Sequence, residues 1–145
     1  MIGLKHLIGW FRQTSSPGPD PHIMGLRQNG SRTALVFLHG FSGTAGGTWS
    51  DFAGLFLEDP DFSDWDVFSV GYPSRLSLDF PLWEADPGIQ LCARSLATKM
   101  TSSAFAEYDC IALVAHSMGG LIAQRAVLDS DCFDGRLSHL VLFGT

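Results

Sequence analysis

The stretch IALVAHSMGGLIAQRAVL, residues 111–128, decides the fold. Its first five residues form a continuous apolar run, which is typical of a strand covered on both faces. The next five, from His116 to Gly120, are small or turn-forming, and the last eight are good helix formers. The stretch therefore predicts a strand at 111–115, a sharp turn around Ser117 and a helix at 121–128.

A second strand and turn occur earlier in the chain. TALVFL at residues 33–38 is apolar and partly β-branched, so we expect another buried strand. The glycine-rich turn His39-Gly40-Phe41-Ser42-Gly43 follows it directly. In open α/β sheets, ligands bind beyond the carboxyl ends of the strands, which is where both turns are predicted to lie.

The rest of the sequence alternates between helical and strand-like segments. Helices are predicted at 49–57, with Thr48 or Ser50 as the cap, and from Asp86-Pro87 onward. Strands are predicted at 65–72 and 137–143, with a short one near 23–26. This alternation predicts an α/β fold in which a mostly parallel sheet carries helices on both faces.

Composition narrows the class of protein. With 145 residues, 46% of them hydrophobic, the chain is long enough for one globular domain. The formal net charge of -6 gives no basic surface, so no nucleic-acid partner is expected. Three scattered cysteines match neither a zinc site nor a disulfide framework, and no signal-peptide pattern is present. A cytoplasmic protein without a metal or other cofactor is predicted.

The N-terminal residues differ in character from the rest. Residues 1–31 are predicted to be an extension and linker, and residues 32–145 to be the domain. Residues 2–13 place apolar side chains partly on one helical face, and Trp10 and Phe11 suit a membrane interface. We therefore expect either weak contact with a membrane surface or a terminal segment that docks on the core or frays. Residues 14–31 are rich in Pro, Gly, Ser and Asn, as linkers are.

The turn at Ser117 has the composition that a nucleophilic serine requires. A sharp strand-to-helix bend lifts the hydroxyl clear of the sheet, and only small residues fit two positions before and after it. These positions hold Ala115, where the usual pattern has glycine, and Gly119. The new helix also presents free N–H groups, so that of Met118 is a candidate oxyanion donor. The alternative is an ordinary turn in which Ser117 caps the helix.

The earlier turn is the expected source of a second oxyanion donor. Gly40 lets the backbone approach a substrate, and the N–H of Phe41, or less favourably that of Ser42, would point at the developing negative charge. A phosphate-binding loop is the rival interpretation, but no Lys-Ser or Lys-Thr ending follows. Four residues that flank the two turns are expected to contribute to substrate binding: His39, Gly40, His116 and Gly119.

Four motifs, in this order, resemble the N-terminal half of an α/β-hydrolase fold serine hydrolase of the esterase and lipase-like kind. They are LVFLHGFSG, VFSVGYPS, VAHSMGGLIAQRAV and LVLFGT. The resemblance covers roughly residues 33–145 and implies Ser117 as the nucleophile, with the N–H groups of Phe41 and Met118 as the oxyanion hole. It also implies cleavage of a small-molecule acyl ester through an acyl-enzyme.

The acid and the histidine of that family are missing from their expected positions. The family order is serine, acid, histidine. The one histidine after Ser117 is His139, which lies inside the last predicted strand among apolar neighbours and is expected to be packed or hydrogen-bonded there. We therefore expect a truncated α/β-hydrolase fold that lacks its C-terminal strands and is inactive or very slow by itself. The last strand would then be an exposed edge prone to self-association.

A second hypothesis belongs to a different class of protein. Without the acid and the histidine, the chain would be a non-catalytic α/β module that binds an apolar ligand or a partner chain. A nucleotide-binding domain is disfavoured, because no G-x-G-x-x-G opens a helix after the first buried strand. Apolar residues around the loops favour an apolar acyl group: Phe41, Trp49, Tyr72, Leu82, Trp83 and Met118.

Overall fold

The computed structural model describes residues 22–40, 45, 47–72 and 87–145. Several predictions from the sequence lie outside these residues: the helix at 2–13, the linker residues 14–21, the turn residues 41–43, and residues 82, 83 and 86. The short strand predicted near residues 23–26 lies inside the described part and is confirmed.

Five strands of the described chain form one sheet in the order β1-β3-β2-β4-β5. β1 runs antiparallel to β3, and the other neighbours are parallel. The predicted bounds of β2 and β5 are confirmed, and those of β3 and β4 agree to within two residues. The strands are β1 (Ile23–Arg27), β2 (Thr33–Leu38), β3 (Asp66–Val70), β4 (Cys110–His116) and β5 (Leu137–Phe143).

Three α-helices connect these strands: α1 (Ser50–Glu58), α2 (Pro87–Met100) and α3 (Met118–Asp129). Trp49 occupies the N-cap of α1 without a capping side-chain hydrogen bond, so the cap predicted at Thr48 or Ser50 is wrong. α3 begins at Met118 and not at residue 121 as predicted. The bend is confined to Ser117, and Gly119 and Gly120 are already helical. Among the described helices, none is long and apolar enough to cross a membrane.

The chain adds strands to the sheet first on one side of β2 and then on the other. It passes from β2 through α1 to β3 on one side, and from β3 through α2 to β4 on the other side of β2. Right-handed crossovers in opposite directions place their helices on opposite faces. The carboxyl ends of β2 and β4 therefore border a crevice at the point where the strand order reverses, where open α/β sheets bind ligands.

β2 shows how the two layers of the core are built. Leu35 and Phe37 pack with α1 on one face, whereas Ala34, Val36 and Leu38 pack with α2 and α3 on the other. All five are buried, and each larger side chain among them contributes about 1.5–3 kcal/mol through burial. The predicted α/β class, with helices on both faces of a mostly parallel sheet, is confirmed.

A buried carboxylate secures the opposite, amino-terminal edge of the sheet. Asp66, at the start of β3, is 1% exposed. Its oxygens accept hydrogen bonds from the Tyr108 hydroxyl at 2.7 Å and from the Asn29 N–H at 2.6 Å. Burial, together with the bond to Asp66, raises the pKa of Tyr108. These bonds join the turn before β2 and the segment before β4 to β3, which holds the central strands in register.

α3 crosses the end of β2 closely because Gly119 has no side chain. A methyl group on Gly119 would overlap the carbonyl oxygen of His39 and lie 3.0 Å from that of Leu38. These are backbone atoms and cannot rotate away. A methyl group on Gly120 would meet the side chain of Thr145 rather than backbone atoms. The approach of α3 to the crevice therefore depends mainly on Gly119.

We expect Gly119→Ala to lower the free energy of unfolding by about 1–3 kcal/mol, because a methyl group forced against backbone displaces α3 from β2. Gly54→Ala is the matched control, since its Cβ would meet open space within α1. That change should stabilise the chain by about 1 kcal/mol through helix propensity. Urea denaturation followed by circular dichroism measures both variants. Wild-type stability in Gly119→Ala would contradict the close approach.

Candidate active site

The two turns predicted from the sequence meet at the carboxyl edge of the sheet. A methyl group on Gly40 would lie 2.9 Å from Nδ1 of His116 and 3.1 Å from Cβ of Ser117. A side chain at position 40 would therefore keep the turns apart. Phe41, the other predicted residue of this turn, lies outside the described residues, so its oxyanion role stays a prediction.

Ser117 has an unusual backbone conformation. Its φ of 51° and ψ of −126° lie outside the regions that residues with side chains normally occupy. Of the described residues other than glycine, it alone has a positive φ. Such a conformation costs about 1–3 kcal/mol and persists only where the surroundings enforce it.

Three hydrogen bonds hold this bend. The Ser117 N–H donates to the carbonyl oxygen of Phe143 on β5 at 2.8 Å. The Ser117 carbonyl accepts from the Gly120 N–H at 2.9 Å and from the Thr145 hydroxyl at 3.3 Å. The bend is therefore held from β5 and α3 together, and tertiary contacts enforce it against the local preference of serine.

The Ser117 side chain does not cap α3. Ser117 occupies the N-cap position, but its side chain makes no capping hydrogen bond, so the interpretation as a simple helix cap is wrong. The residue is half-buried. No hydrogen bond engages the N–H of Met118 within the described ranges. An N–H at a helix N-terminus carries partial positive charge and suits an anionic oxygen.

His39 is packed inside the turn that follows β2. It is 1% exposed, and its ring stacks on Tyr72 with the ring centroids 4.4 Å apart. Its Nδ1 donates to the Gly40 carbonyl at 2.8 Å, and the Tyr72 hydroxyl donates to the His39 carbonyl at 2.7 Å. Burial lowers the pKa of His39, although the Gly40 carbonyl opposes this. The substrate contact expected of His39 stays a prediction, and this packing leaves such contact to the backbone of the turn.

Three other described histidines are exposed: His22, His116 and His139. The His116 ring meets Trp49 edge-on, with centroids 6.4 Å apart, beside Gly40. His139 is exposed on the α1 side of β5. The expectation of a packed His139 is wrong, because β5 is the edge strand of the described sheet and its α1 side borders a cavity. In the described part of the chain, no group of three or more His, Cys, Asp or Glu residues could hold a metal ion.

An apolar cavity of about 340 Å³ lies on the α1 side of the sheet. Its walls come from α1 and from β2, β4 and β5, and include Phe52, Val114, Val141 and Phe143. Phe143 links the cavity to the bend, because its carbonyl accepts the Ser117 N–H. The sequence analysis did not predict this cavity. The available signal was the alternation of residues along β5, which places 139, 141 and 143 on one face.

Two residues that the sequence analysis grouped only as apolar surroundings take part in the site. Tyr72 fixes the turn after β2 through the contacts with His39 described above. Trp49 is 6% exposed and packs on Phe37 and His116. Its indole N–H is buried without a hydrogen-bond partner in the described structure. The sequence signal for both was an aromatic residue that carries a polar group. Tyr72 lies next to the end of a strand, and Trp49 lies next to the glycine-rich turn.

Comparisons with known proteins agree with this architecture. A family model described as Lipase (class 2) matches residues 32–140. No curated protein sequence matches the chain significantly.

Two solved structures of one protein are similar: YbtT, a type II thioesterase from the yersiniabactin NRPS/PKS biosynthetic pathway. For the first, the TM-score is 0.51 at 22% identity, over 83% of this chain and 47% of that chain. For a mutant of YbtT, the TM-score is 0.44 at 24% identity, over 72% and 39% of the two chains. The chain thus spans about half the length of the thioesterase, and the first likeness confirms the expected α/β-hydrolase type of fold.

We expect Ser117→Gly to raise the free energy of unfolding by about 1 kcal/mol, because glycine adopts a positive φ without strain. The greater freedom of glycine in the unfolded chain offsets part of this gain. Ser117→Ala keeps a Cβ at the same φ and is the matched control, so it should show no such gain. Urea denaturation compares the two variants with wild type. Equal stability of Ser117→Gly and Ser117→Ala would contradict strain at this position.

We expect acidification to destabilise the protein through His39. In the folded chain, burial lowers the pKa of His39 below its ordinary value of 6.5. The unfolded chain therefore takes up a proton at a pH at which folded His39 stays neutral. The free energy of unfolding should therefore fall between about pH 7 and pH 5, and fall less in His39→Gln. Urea denaturation at both pH values compares these variants with the exposed control His139→Gln. An unchanged pH dependence in His39→Gln would rule out this contribution.

Proposed function

The chain belongs to the class 2 lipase family, and on this premise we propose that it is a serine hydrolase that cleaves acyl esters with Ser117 as the nucleophile. The strained bend at Ser117, next to Gly40 and at the start of α3, carries the proposal. A nucleophilic serine above a parallel sheet requires such a bend to expose its hydroxyl. A backbone conformation that lowers the stability of the fold is not expected at an ordinary surface serine.

In the proposed reaction, the Ser117 hydroxyl oxygen adds to the carbonyl carbon of an ester. The bond between that carbon and the alcohol oxygen breaks, and the alcohol leaves with the proton that Ser117 has lost. Water then attacks the acyl group on Ser117, the acid departs, and the serine regains its proton. One ester and one water thus become one acid and one alcohol.

The negative charge that forms on the carbonyl oxygen requires donors. We assign the N–H of Met118 to this role, since it lies at the start of α3 beside Ser117. The N–H of Phe41 is the proposed second donor, and Gly40 brings its turn close to Ser117. One such donor contributes about 10²–10³ to kcat in serine hydrolases. Both donors are backbone groups, so their placement depends on the fold and not on side-chain identity.

We assign no general base within the described residues. The Nδ1 of His39 is engaged by the Gly40 carbonyl, and its ring is buried against Tyr72. His139 lies on β5 beside the cavity. A general base contributes about 10²–10⁴-fold, so we propose that this chain by itself reacts slowly. The proposed substrate is a small ester with an apolar acyl group, acted on in the cytoplasm.

The alternative function is binding of an apolar ligand without catalysis. The cavity on the α1 side favours it, because its volume of about 340 Å³ falls in the range of small-molecule sites and its lining is mostly apolar. A module of this kind would bind a fatty acid there and would have no reactive serine. The two functions differ in what they predict for Ser117.

We expect a fluorophosphonate probe to label the full chain at Ser117. The serine oxygen displaces fluoride from phosphorus, which leaves a stable phosphonate ester that intact-mass spectrometry detects. Labelling should disappear in Ser117→Ala. It should persist in Ser103→Ala, which removes an exposed serine from the turn after α2. Circular dichroism establishes that each variant is folded.

Labelling of Ser117→Ala equal to that of wild type would rule out Ser117 as the nucleophile. Fatty-acid binding measured by calorimetry then decides the alternative. Val114→Phe, which fills part of the cavity, should abolish that binding if the alternative holds.

A further inference from the structure

Two buried side chains hold consecutive carbonyl groups in the turn after β2. The Tyr72 hydroxyl donates to the His39 carbonyl at 2.7 Å, and Nδ1 of His39 donates to the Gly40 carbonyl at 2.8 Å. The two rings stack, with centroids 4.4 Å apart and planes inclined by 19°. Both side chains are buried. The rings and the two carbonyl groups therefore form one packed unit, which we call the Tyr72–His39 clamp.

The clamp determines the direction of an N–H group as well as that of the carbonyl groups. A peptide unit is planar and, where no proline follows, trans. The carbonyl of one residue and the N–H of the next therefore point in opposite directions. Phe41 lies outside the described residues, but its N–H belongs to the same peptide unit as the Gly40 carbonyl. The direction of that carbonyl thus sets the direction of the N–H proposed above as the second oxyanion donor.

The clamp lies on the β3 side of the turn. The His39 ring stacks on Tyr72, and a methyl group on Gly71 would lie 3.4 Å from Nε2 of that ring. Gly71 and Tyr72 directly follow β3 in the chain. Because the Gly40 carbonyl accepts from this ring, the carbonyl is directed toward the β3 side.

Ser117 lies on the other side of the same turn. β3 and β4 flank β2 on opposite sides, and Ser117 follows β4. A methyl group on Gly40 would lie 3.1 Å from the Cβ of Ser117, so the turn is close to the bend on this side. An N–H that points opposite to the Gly40 carbonyl is therefore directed toward Ser117. In the proposed reaction, negative charge forms on the substrate next to Ser117.

We propose that Tyr72 is a positioning residue that acts through His39 to direct the Phe41 N–H toward the oxyanion, an inference that rests on the proposed function. The hydroxyl of Tyr72 holds the His39 carbonyl, and its ring holds the plane of the imidazole. Burial raises the pKa of Tyr72, so the hydroxyl keeps the proton that it donates. The clamp favours the N–H of Phe41 over that of Ser42, because only the former shares a peptide unit with the Gly40 carbonyl.

The first experiment tests the direction of the N–H group without any substrate. In NMR spectra of the full chain, we expect a nuclear Overhauser effect between the Phe41 amide proton and the β-protons of Ser117. Tyr72→Phe removes only the hydroxyl and should weaken this effect. The matched control is Tyr108→Phe, which removes a second buried tyrosine hydroxyl, bonded to Asp66 at the opposite edge of the sheet. That variant should leave the effect unchanged.

The second experiment connects the clamp to the reaction. The rate of fluorophosphonate labelling at Ser117 depends on donors to the phosphoryl oxygen, which gains negative charge as fluoride is displaced. Tyr72→Phe should lower the maximal labelling rate by about tenfold or more, since one oxyanion donor contributes about 10²–10³ to kcat in serine hydrolases. The probe concentration at half the maximal rate should not change, because Tyr72 acts through the turn and not on the bound probe. Tyr108→Phe should label at the wild-type rate.

His39 provides a further test of the same unit. His39→Asn keeps an N–H donor near the position of Nδ1, whereas His39→Leu has a similar size and no donor. His39→Asn should therefore label faster than His39→Leu. In the His39→Leu background, Tyr72→Phe should add little to the loss, because residues that act through one unit are not additive. Circular dichroism establishes that each variant is folded.

Each outcome of these measurements decides the proposal. A weaker Overhauser effect and slower labelling in Tyr72→Phe, with neither change in Tyr108→Phe, support it. An unchanged effect or a wild-type labelling rate in Tyr72→Phe overturns it. Equal slowing by Tyr108→Phe also overturns it, since lost stability would then be the cause. Labelling of Ser117→Ala equal to that of wild type overturns the proposed function instead, and the Overhauser effect still reports the clamp, so the two failures are distinguishable.

Discussion

The site depends on the close approach of three backbone segments around Ser117. The end of β2 comes near through Gly40, the start of α3 through Gly119, and the end of β5 through the bond from the Ser117 N–H to Phe143. A side chain at either glycine would occupy space that the neighbouring segment already fills. Ser117 has a positive φ at this junction, and such a conformation persists only where the surrounding fold stabilises it.

The two-layered core supplies that packing. β2 and β4 are apolar on both faces, and α1 packs against them on one side and α2 with α3 on the other. The carboxyl ends of these strands are thus anchored from both faces. The buried Asp66 and its two hydrogen bonds hold the opposite edge. The crevice between the strand ends is therefore bordered by strands that are packed on both faces, and precise placement of a nucleophile requires support of this kind.

The groups proposed to act on a substrate are mostly backbone groups. The N–H of Met118 is available because helices leave their first N–H groups without partners. His39 and Tyr72, both expected from the sequence to lie near a substrate, pack against each other and shape the turn. The side chain that carries chemistry in this proposal is Ser117 alone.

The sequence by itself determined the order of strands and helices along the chain and the position of the two turns. Apolar runs such as TALVFL and IALVA, and the small turn residues that follow them, are local signals. It also identified Ser117, Gly40 and Gly119, since a sharp bend restricts residue size at specific spacings. Only the tertiary structure decided that His39 is buried, that His139 is exposed and that Ser117 does not cap its helix. Those outcomes depend on which strands lie side by side and which strand forms the edge. Contacts between residues far apart in the chain leave no local pattern from which they could be predicted.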